Sequence, residues 1–115
     1  MPDFIYKICP EPLWRAAEVA GRFDGAPVDL ADGFIHFSTG AQLRETAARH
    51  FAGQGDLVLV TVDAVSLGSA LRHEPSRGGD LFPHLYGELP IAAVRNVQRL
   101  PVGLDGAHVF PASIP

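Results

Sequence analysis

Two short apolar segments of the sequence each carry a histidine with a hydroxyl-bearing residue two positions further on. In segment 33–39 (GFIHFST), His36 and Ser38 share a face if the segment is a strand, because alternate residues of a strand point the same way. We predict that Ser38 and Thr39 lie where this strand becomes a helix, with free backbone N–H groups that would bind an anion. An imidazole beside such a site suits a phosphate, a nucleotide or an amide carbonyl. The alternative is a hydrogen-bonded core histidine, with Thr39 only capping the helix.

The second segment, 82–87 (FPHLYG), holds His84 and Tyr86 on a constrained backbone. Pro83 fixes the chain and Gly87 allows an unusual turn. If the segment is extended, the imidazole and the phenol share a face. Tyr86 would then stack on a base or a nicotinamide ring, and His84 would donate to a phosphate. In the alternative, Tyr86 packs at the edge of the core and His84 lies on the surface.

Glu74 is the third candidate and precedes a glycine-rich stretch, 75–80. Its carboxylate suits a general base or an acceptor for a ribose hydroxyl. Adjacent residues of a strand face opposite ways, so at most one of His73 and Glu74 enters a given pocket. The five histidines show no H-x-H or H-x-x-x-H spacing, and we predict no metal site.

The elements that must position these residues are short. Helices are predicted from Pro12 to Ala20 and from Thr39 to Phe51, while 22–33 is predicted to be a shaped loop without a regular element. Residues 75–80 are predicted to form a mobile or binding loop. Two helices on a mixed sheet of about six short strands give an α+β fold in one domain, residues 1–115. The predicted strands cover residues 4–9, 34–37, 57–62, 70–74, 91–100 and 107–110.

Composition excludes several classes of function. The 115 residues include 9 Lys and Arg against 13 Asp and Glu, a net charge of −4 without a basic cluster, which argues against general nucleic-acid binding. No apolar run reaches the roughly 20 residues of a membrane span, and residues 1–4 lack the basic start of a signal peptide. A single cysteine, Cys9, excludes an intramolecular disulfide. We therefore expect a soluble, cytoplasmic protein that does not bind a membrane.

These motifs together resemble a small bacterial family of unknown function. Membership would imply an ADP-ribosyltransferase-like fold, which binds NAD-type dinucleotides without a Rossmann motif, so that NAD is the expected substrate and no metal is needed. The motifs that carry the resemblance are Ile5-Tyr6-Lys7-Ile8, Trp14, the segment 32–39 (DGFIHFST), Gln42 and the segment 82–87 (FPHLYG).

A more distant similarity is to RNA 2′-phosphotransferases of the same fold. In those enzymes a strand ending Val-His-Leu-Ser is followed by a helix and an apolar strand ending Val-Asp. Residues 35–38, the helix to Phe51 and residues 57–63 follow the same order, which implies that His36 and Ser38 face a phosphate or ribose. The chain departs from them at Tyr6, where they carry the histidine of a His-Gly-Thr, and it lacks their basic RNA-binding lobe. We count Tyr6 with the nucleotide-binding residues.

Three functions follow from the residues and the resemblance. The first is an enzyme that transfers ADP-ribose or cleaves the N-glycosidic bond of NAD, with Glu74 or Glu88 stabilising an oxocarbenium-like transition state. The second is a non-enzymatic module that binds a nucleotide or a small anion, and the third is an interaction domain that contacts a protein through residues 82–86. In the enzyme, the expected catalytic residues are His36, Tyr86 and Glu74, and the expected binding residues are Ser38, Thr39, His84 and Tyr6.

Overall fold

The β-structure consists of three antiparallel sheets, which we call ladders, in the computed structural model, which describes residues 3–114. Met1, Pro2 and Pro115 lie outside the described residues. The prediction that residues 1–4 are not the start of a signal peptide therefore falls partly outside them. The first ladder has the order β1-β4-β8, the second β3-β6-β5, and the third pairs β2 with β7. The strands are β1 (Phe4–Pro10), β2 (Arg22–Phe23), β3 (Ile35–His36), β4 (Leu57–Asp63), β5 (Leu71–Pro75), β6 (Leu81–Leu85), β7 (Leu89–Pro90) and β8 (Val94–Arg99).

A two-residue bridge joins the two larger ladders. The N–H of Tyr6 donates to the carbonyl of Ser38, and the N–H of Ser38 donates to the carbonyl of Tyr6, both at 2.9 Å. The bridge holds the end of β3 beside β1. Within the second ladder, His36 is in register with His84, so the two predicted histidine motifs lie on neighbouring strands.

Within residues 3–114, three α-helices pack around these ladders: α1 (Glu11–Ala20), α2 (Pro27–Asp32) and α3 (Leu43–His50). The first helix has Pro12 in its first turn and ends at Gly21, whose φ of 83° suits glycine, as the sequence predicts. Short 3-10 turns cover Val65–Ala70, Arg77–Gly79 and Ile91–Ala93.

Strand β4 is buried on both faces, as predicted from its continuous apolar run. On one face Val58 and Val60 pack in a core that includes Trp14 of α1. On the other face Leu59 packs with Leu43 of α3. The helices α1 and α3 therefore cover opposite sides of the first ladder.

The α+β class and most of the predicted elements are confirmed, and several predictions about the elements are wrong. Every strand pairing in residues 3–114 is antiparallel, so the sheet is not mixed in direction. The expected loop 22–33 contains β2 and α2, because Pro27 starts a helix that Gly33 ends. In the expected strand 107–110, only His108 forms an isolated bridge.

The start of the second predicted helix is also wrong. Residues 40–42 form a turn, and α3 begins only at Leu43. The predicted pairing of Thr39 with Gln42 nevertheless exists, since the N–H of Thr39 donates to Oε1 of Gln42 at 3.0 Å. The pair closes the turn before the helix and does not cap the helix itself.

Candidate functional site

A cleft of about 390 Å³ lies where β1, β3, β6 and α3 meet. Its walls are mainly apolar and aromatic, with Phe37, Phe51 and Phe82 among them. Two groups of polar side chains interrupt these walls. The first group is Lys7, His36 and His84, and the second is Ser38, Thr46 and His50.

Asp29 of α2 organises the first polar group from below the surface. Its carboxylate accepts from Nζ of Lys7 at 3.0 Å (Oδ1) and 2.9 Å (Oδ2). Oδ1 lies 2.6 Å from Nδ1 of His36 and accepts the backbone N–H of the same residue at 3.1 Å. Oδ2 accepts the N–H of Ala26 at 2.8 Å. With Asp29 only 2% exposed, these bonds replace the water that the carboxylate loses on burial.

Burial and the partner's charge act in opposite directions on the pKa values of the buried pair Asp29 and Lys7. Burial alone would raise the pKa of Asp29, but the hydrogen bond with His36 and the charge of Lys7 outweigh it and lower that pKa to about 2. Burial lowers the pKa of Lys7, although the neighbouring carboxylate acts in the opposite direction. Asp29 is therefore a carboxylate at neutral pH.

His36 is bracketed by a second carboxylate. Its Nε2 lies 2.9 Å from Oδ2 of Asp32, at the opposite edge of the ring from Asp29. An ionised carboxylate only accepts hydrogen bonds, so a doubly protonated ring satisfies both contacts and a neutral ring satisfies one. A ligand reaches Nε2 of His36 only by displacing Asp32.

His84 forms a second carboxylate–imidazole pair, with Glu74 of β5. Its Nδ1 lies 2.9 Å from Oε1 of Glu74, and the hydroxyl of Tyr86 donates to the same oxygen at 2.7 Å. Hydrogen bonds from Tyr86 and then from His84 lower the pKa of Glu74, and the bond with Glu74 raises the pKa of Tyr86. Glu74 is thus the charged acceptor of this cluster and Tyr86 its neutral donor.

The ring of Phe34 connects the two imidazole clusters. Its centroid lies 4.1 Å from that of His84 in a stacked arrangement, 4.6 Å from that of His36 and 5.3 Å from that of Tyr86. The two imidazole centroids are 5.5 Å apart, edge to face. The histidines of the two sequence motifs therefore meet in the wall of one cleft.

The structure brings some of the expected site residues to the cleft wall and leaves others behind it. Glu74 and Tyr86 lie behind His84, and the guanidinium of Arg72 stands 4.6 Å from the centroid of the Tyr86 ring. Glu88 is at the surface, 3.4 Å from Nε of Arg22. Of the expected site residues, four line the cleft: Tyr6, His36, Ser38 and His84.

The predicted anion site at Ser38 and Thr39 is wrong in its physical basis. The N–H of Ser38 donates to Tyr6 and that of Thr39 to Gln42, so neither group is free. Because the helix begins four residues later, its dipole does not start at Thr39 either. The hydroxyl of Ser38 does reach the cleft, where it lies 2.9 Å from that of Thr46.

Sequence reasoning missed Lys7, Asp29 and Phe34 as parts of the site. Pro27 at the first helical position and Gly33 just beyond the last one were the available signals for α2 and hence for Asp29. Nothing in the sequence pattern marks Lys7, which lies on an apolar strand with 6% of its surface exposed.

Two further features concern possible partners. The part of the chain that the structure describes holds no group of three or more His, Cys, Asp or Glu side chains arranged for a metal ion. In the same residues no helix has the length and apolar character needed to cross a membrane. Of the segment 82–86, suggested above as a protein contact, residues 82–85 are buried and only Tyr86 is exposed.

The fold and the cleft define a small α+β protein in which two imidazoles meet edge to face and both contact the ring of one phenylalanine. The chain belongs to the family described as "Protein of unknown function (DUF952)", which matches residues 8–97. No curated protein matches the chain at a significant level.

The chain is also similar to solved structures of protein CC0527 from Caulobacter crescentus. An X-ray structure of that protein is 50% identical over 92% of this chain and 93% of its own, with a TM-score of 0.89. A solution NMR structure is 51% identical over 90% of each chain, with a TM-score of 0.82. The fold is therefore shared with a bacterial relative along most of its length.

Proposed function

We propose that the cleft binds a nucleotide of the NAD class and that the protein cleaves its N-glycosidic bond, passing ADP-ribose to an acceptor or to water. The observation that carries this proposal is the meeting of His36 and His84, whose ring centroids are 5.5 Å apart and which are each bonded to a carboxylate, in the wall of an aromatic cleft. The proposal also draws on the resemblance of residues 35–38 to the histidine-containing strand of RNA 2′-phosphotransferases, because His36 and Ser38 both line the cleft of this chain.

The dimensions and walls of the cleft support a ligand with a flat ring. A volume of about 390 Å³ falls within the ~300–1,000 Å³ typical of small-molecule sites. Phe82 and Phe37 offer apolar surface for a nicotinamide or a base, a role that Tyr86 fills less well because Arg72 stands over its ring. The hydroxyls of Ser38 and Thr46 suit hydrogen bonds with a ribose.

The reaction needs a stabilised cation and an acceptor. The bond between ribose C1′ and the nicotinamide nitrogen breaks, and the bonding electron pair leaves with the nicotinamide. The ribose passes through an oxocarbenium-like state, which nearby carboxylates stabilise. The carboxylates of Asp29, Asp32 and Glu74 lie around the two imidazoles, and of these Asp29 is also paired with Lys7. The proposal assigns the stabilisation of the developing positive charge to these carboxylates.

The test is release of nicotinamide from NAD by the purified protein, followed with and without small-molecule acceptors. We expect turnover that falls at least tenfold in His36→Ala and is unchanged in His73→Ala, a histidine exposed on β5 outside the cleft. No release above the level of His36→Ala, across the acceptors tried, would exclude the catalytic function.

A second function, binding without catalysis, is favoured by the position of the glutamates. Glu74 is committed to Tyr86 and His84 behind the cleft wall, and Glu88 is paired with Arg22 at the surface. On this account the cleft holds a nucleotide or a related small metabolite and leaves it intact. Calorimetry separates the two, because saturable NAD binding that His36→Ala weakens, without nicotinamide release, supports the binding module alone.

A further inference from the structure

We propose that His84 is the proton-accepting residue of the cleft, acting through Nε2, and that Glu74 and Tyr86 are its positioning residues. The inference rests on the proposed function for the identity of the reaction. The state of the His84 ring is decided by this chain's own contacts.

Hydrogen bonding at Nδ1 determines which nitrogen of His84 is bare. Oε1 of Glu74 lies 2.9 Å from Nδ1, and an ionised carboxylate can only accept, so Nδ1 carries the hydrogen. In the neutral ring Nε2 then holds a lone pair. Among the described residues no hydrogen-bond partner faces this nitrogen, while the side chain is 6% exposed and lines the cleft. A bare, buried nitrogen facing a cleft has the features of a general base.

Two contacts fix the orientation of the His84 ring. The hydroxyl of Tyr86 donates to the same Oε1 at 2.7 Å, which holds the carboxylate in place beneath Nδ1. Phe34 stacks on the imidazole with its centroid at 4.1 Å and an interplanar angle of 28°. A carboxylate that holds one imidazole nitrogen while the other faces the substrate is the arrangement by which Asp-His pairs set the tautomer in hydrolases.

His36 differs from His84 in the feature that matters for proton transfer. Both of its ring nitrogens face carboxylate oxygens, at 2.6 Å from Asp29 and 2.9 Å from Asp32. Neither ring nitrogen of His36 therefore faces the cleft without a carboxylate beside it. His36 suits orientation and charge balance, whereas His84, a binding residue in the sequence prediction, takes the proton-accepting role that the sequence suggested for Glu74.

In this step His84 accepts the proton of the attacking oxygen. The oxygen of water or of a hydroxyl acceptor forms a bond to C1′ as the bond from C1′ to the nicotinamide nitrogen breaks. The proton of that hydroxyl moves to Nε2 of His84. The resulting imidazolium is paired with Glu74 through Nδ1–H, and the nicotinamide leaves with its electron pair.

The first test reads the tautomer by NMR of ¹⁵N-labelled histidine in the full chain without ligand. At a pH where the His84 ring is neutral, we expect it to carry hydrogen on Nδ1, with Nε2 bare. In Glu74→Gln the neutral amide can donate to Nδ1, and the tautomer should move toward Nε2–H. Tyr86→Phe should retain the Nδ1–H form, and the exposed control His73→Gln should leave the His84 signals unchanged. An Nε2–H tautomer in the native protein would overturn the proposal.

The second test measures nicotinamide release in the same variants. His84→Gln should lower turnover by roughly 100-fold or more, as expected for loss of a general base, with nucleotide affinity changed far less. Retention of more than half of the turnover would overturn the assignment. If the native protein releases no nicotinamide but shows the Nδ1–H tautomer that Glu74→Gln reverses, the proposed reaction fails, and what stands is that Glu74 sets the His84 ring with Nε2 bare.

Discussion

Asp29 is the residue on which the geometry of the cleft depends most. Its carboxylate holds a lysine from β1 and a histidine from β3, so one side chain joins α2 to two ladders. A buried ion pair is costly to form, because both charges leave water, and it gives a defined arrangement only when every remaining hydrogen bond is met. The backbone N–H groups of Ala26 and His36, which both donate to the Asp29 carboxylate, meet that requirement.

Replacing Asp29 with Asn should therefore destabilise the protein strongly. The amide retains one acceptor oxygen but leaves the charge of Lys7 buried without a counterion, which typically costs about 3 kcal/mol or more. Urea unfolding at pH 7 measures the loss. Adding Lys7→Met to the variant should recover part of it, because the unpaired charge is then removed as well. A loss below about 1 kcal/mol in Asp29→Asn would contradict this account of the pair.

Tyr86 should control the ionisation of Glu74. Because the Tyr86 hydroxyl is the largest cause of the lowered pKa of Glu74, Tyr86→Phe should raise that pKa toward its usual range. The carboxyl ¹³C signal of Glu74, followed from pH 7 to pH 2, reports the change. Exposed Glu45 on α3, paired with Arg49, offers a reference signal that should not move. An unchanged Glu74 titration would remove Tyr86 from the positioning pair.

The helix α2 is the element that turns a set of polar side chains into a site. It supplies both carboxylates that bracket His36, Asp29 and Asp32. The helix is six residues long, and its position is set by the turn that precedes it. At Gly25 the backbone has a φ of 125°, and a Cβ added there would stand 2.9 Å from Cβ of Asp29.

Gly25→Ala should consequently damage the site as well as the fold. The substitution adds backbone strain, on the order of 1–3 kcal/mol, and pushes directly on Asp29. Gly21→Ala is the matched control, because Gly21 has a φ of 83° with nothing within 4 Å of an added Cβ. We expect both variants to lose stability in urea unfolding, but only Gly25→Ala to shift the imidazole signals of His36. Equal effects on His36 would show that the close approach is unimportant.

The elements that the sequence predicts well are those whose own residues decide their structure. Strand β4 has a continuous apolar run, and α1 has a proline in its first turn and a glycine at its end. In contrast, α2 is too short for a periodic pattern, and its stability comes from the contacts of Asp29 with Lys7 and His36. Long-range contacts of this kind leave no local signal. The two histidine motifs were predictable from the sequence. Of the three carboxylates that contact the histidine rings, only Glu74 was predicted as a site residue, and Asp29 and Asp32 were not.

At the scale of the whole molecule, the cleft depends on the bridge between the two larger ladders. Tyr6 and Ser38 exchange backbone hydrogen bonds there, so the site spans two sheets whose strands are distant in sequence. A change in the ionisation of Asp29, which holds both β1 and β3, therefore acts on the stability of the whole chain. Because of this coupling, we expect the ionisation of Asp29 to be a main cause of the change in the free energy of unfolding at low pH.

The stability curve in acid tests that coupling. The pKa of Asp29 falls from its usual 3.8 to about 2 on folding, so its contribution to stability is fully present above about pH 4 and is lost as the pH falls through about 2. At 1.36 kcal/mol per pKa unit, that contribution is about 2 kcal/mol. Urea unfolding of the native protein between pH 5 and pH 2 should show this loss in addition to that from other carboxylates.

Asp29→Asn isolates the contribution of this residue. The variant lacks the titrating carboxylate, so its stability should fall by about 2 kcal/mol less than that of the native protein over the same range. The gap between the two proteins, wide at pH 7, should narrow accordingly at pH 2. Asp80→Asn, at an exposed position, should follow the native curve. If the free energies of unfolding of Asp29→Asn and of the native protein fall in parallel with pH, the ionisation of Asp29 does not contribute to the acid dependence of stability.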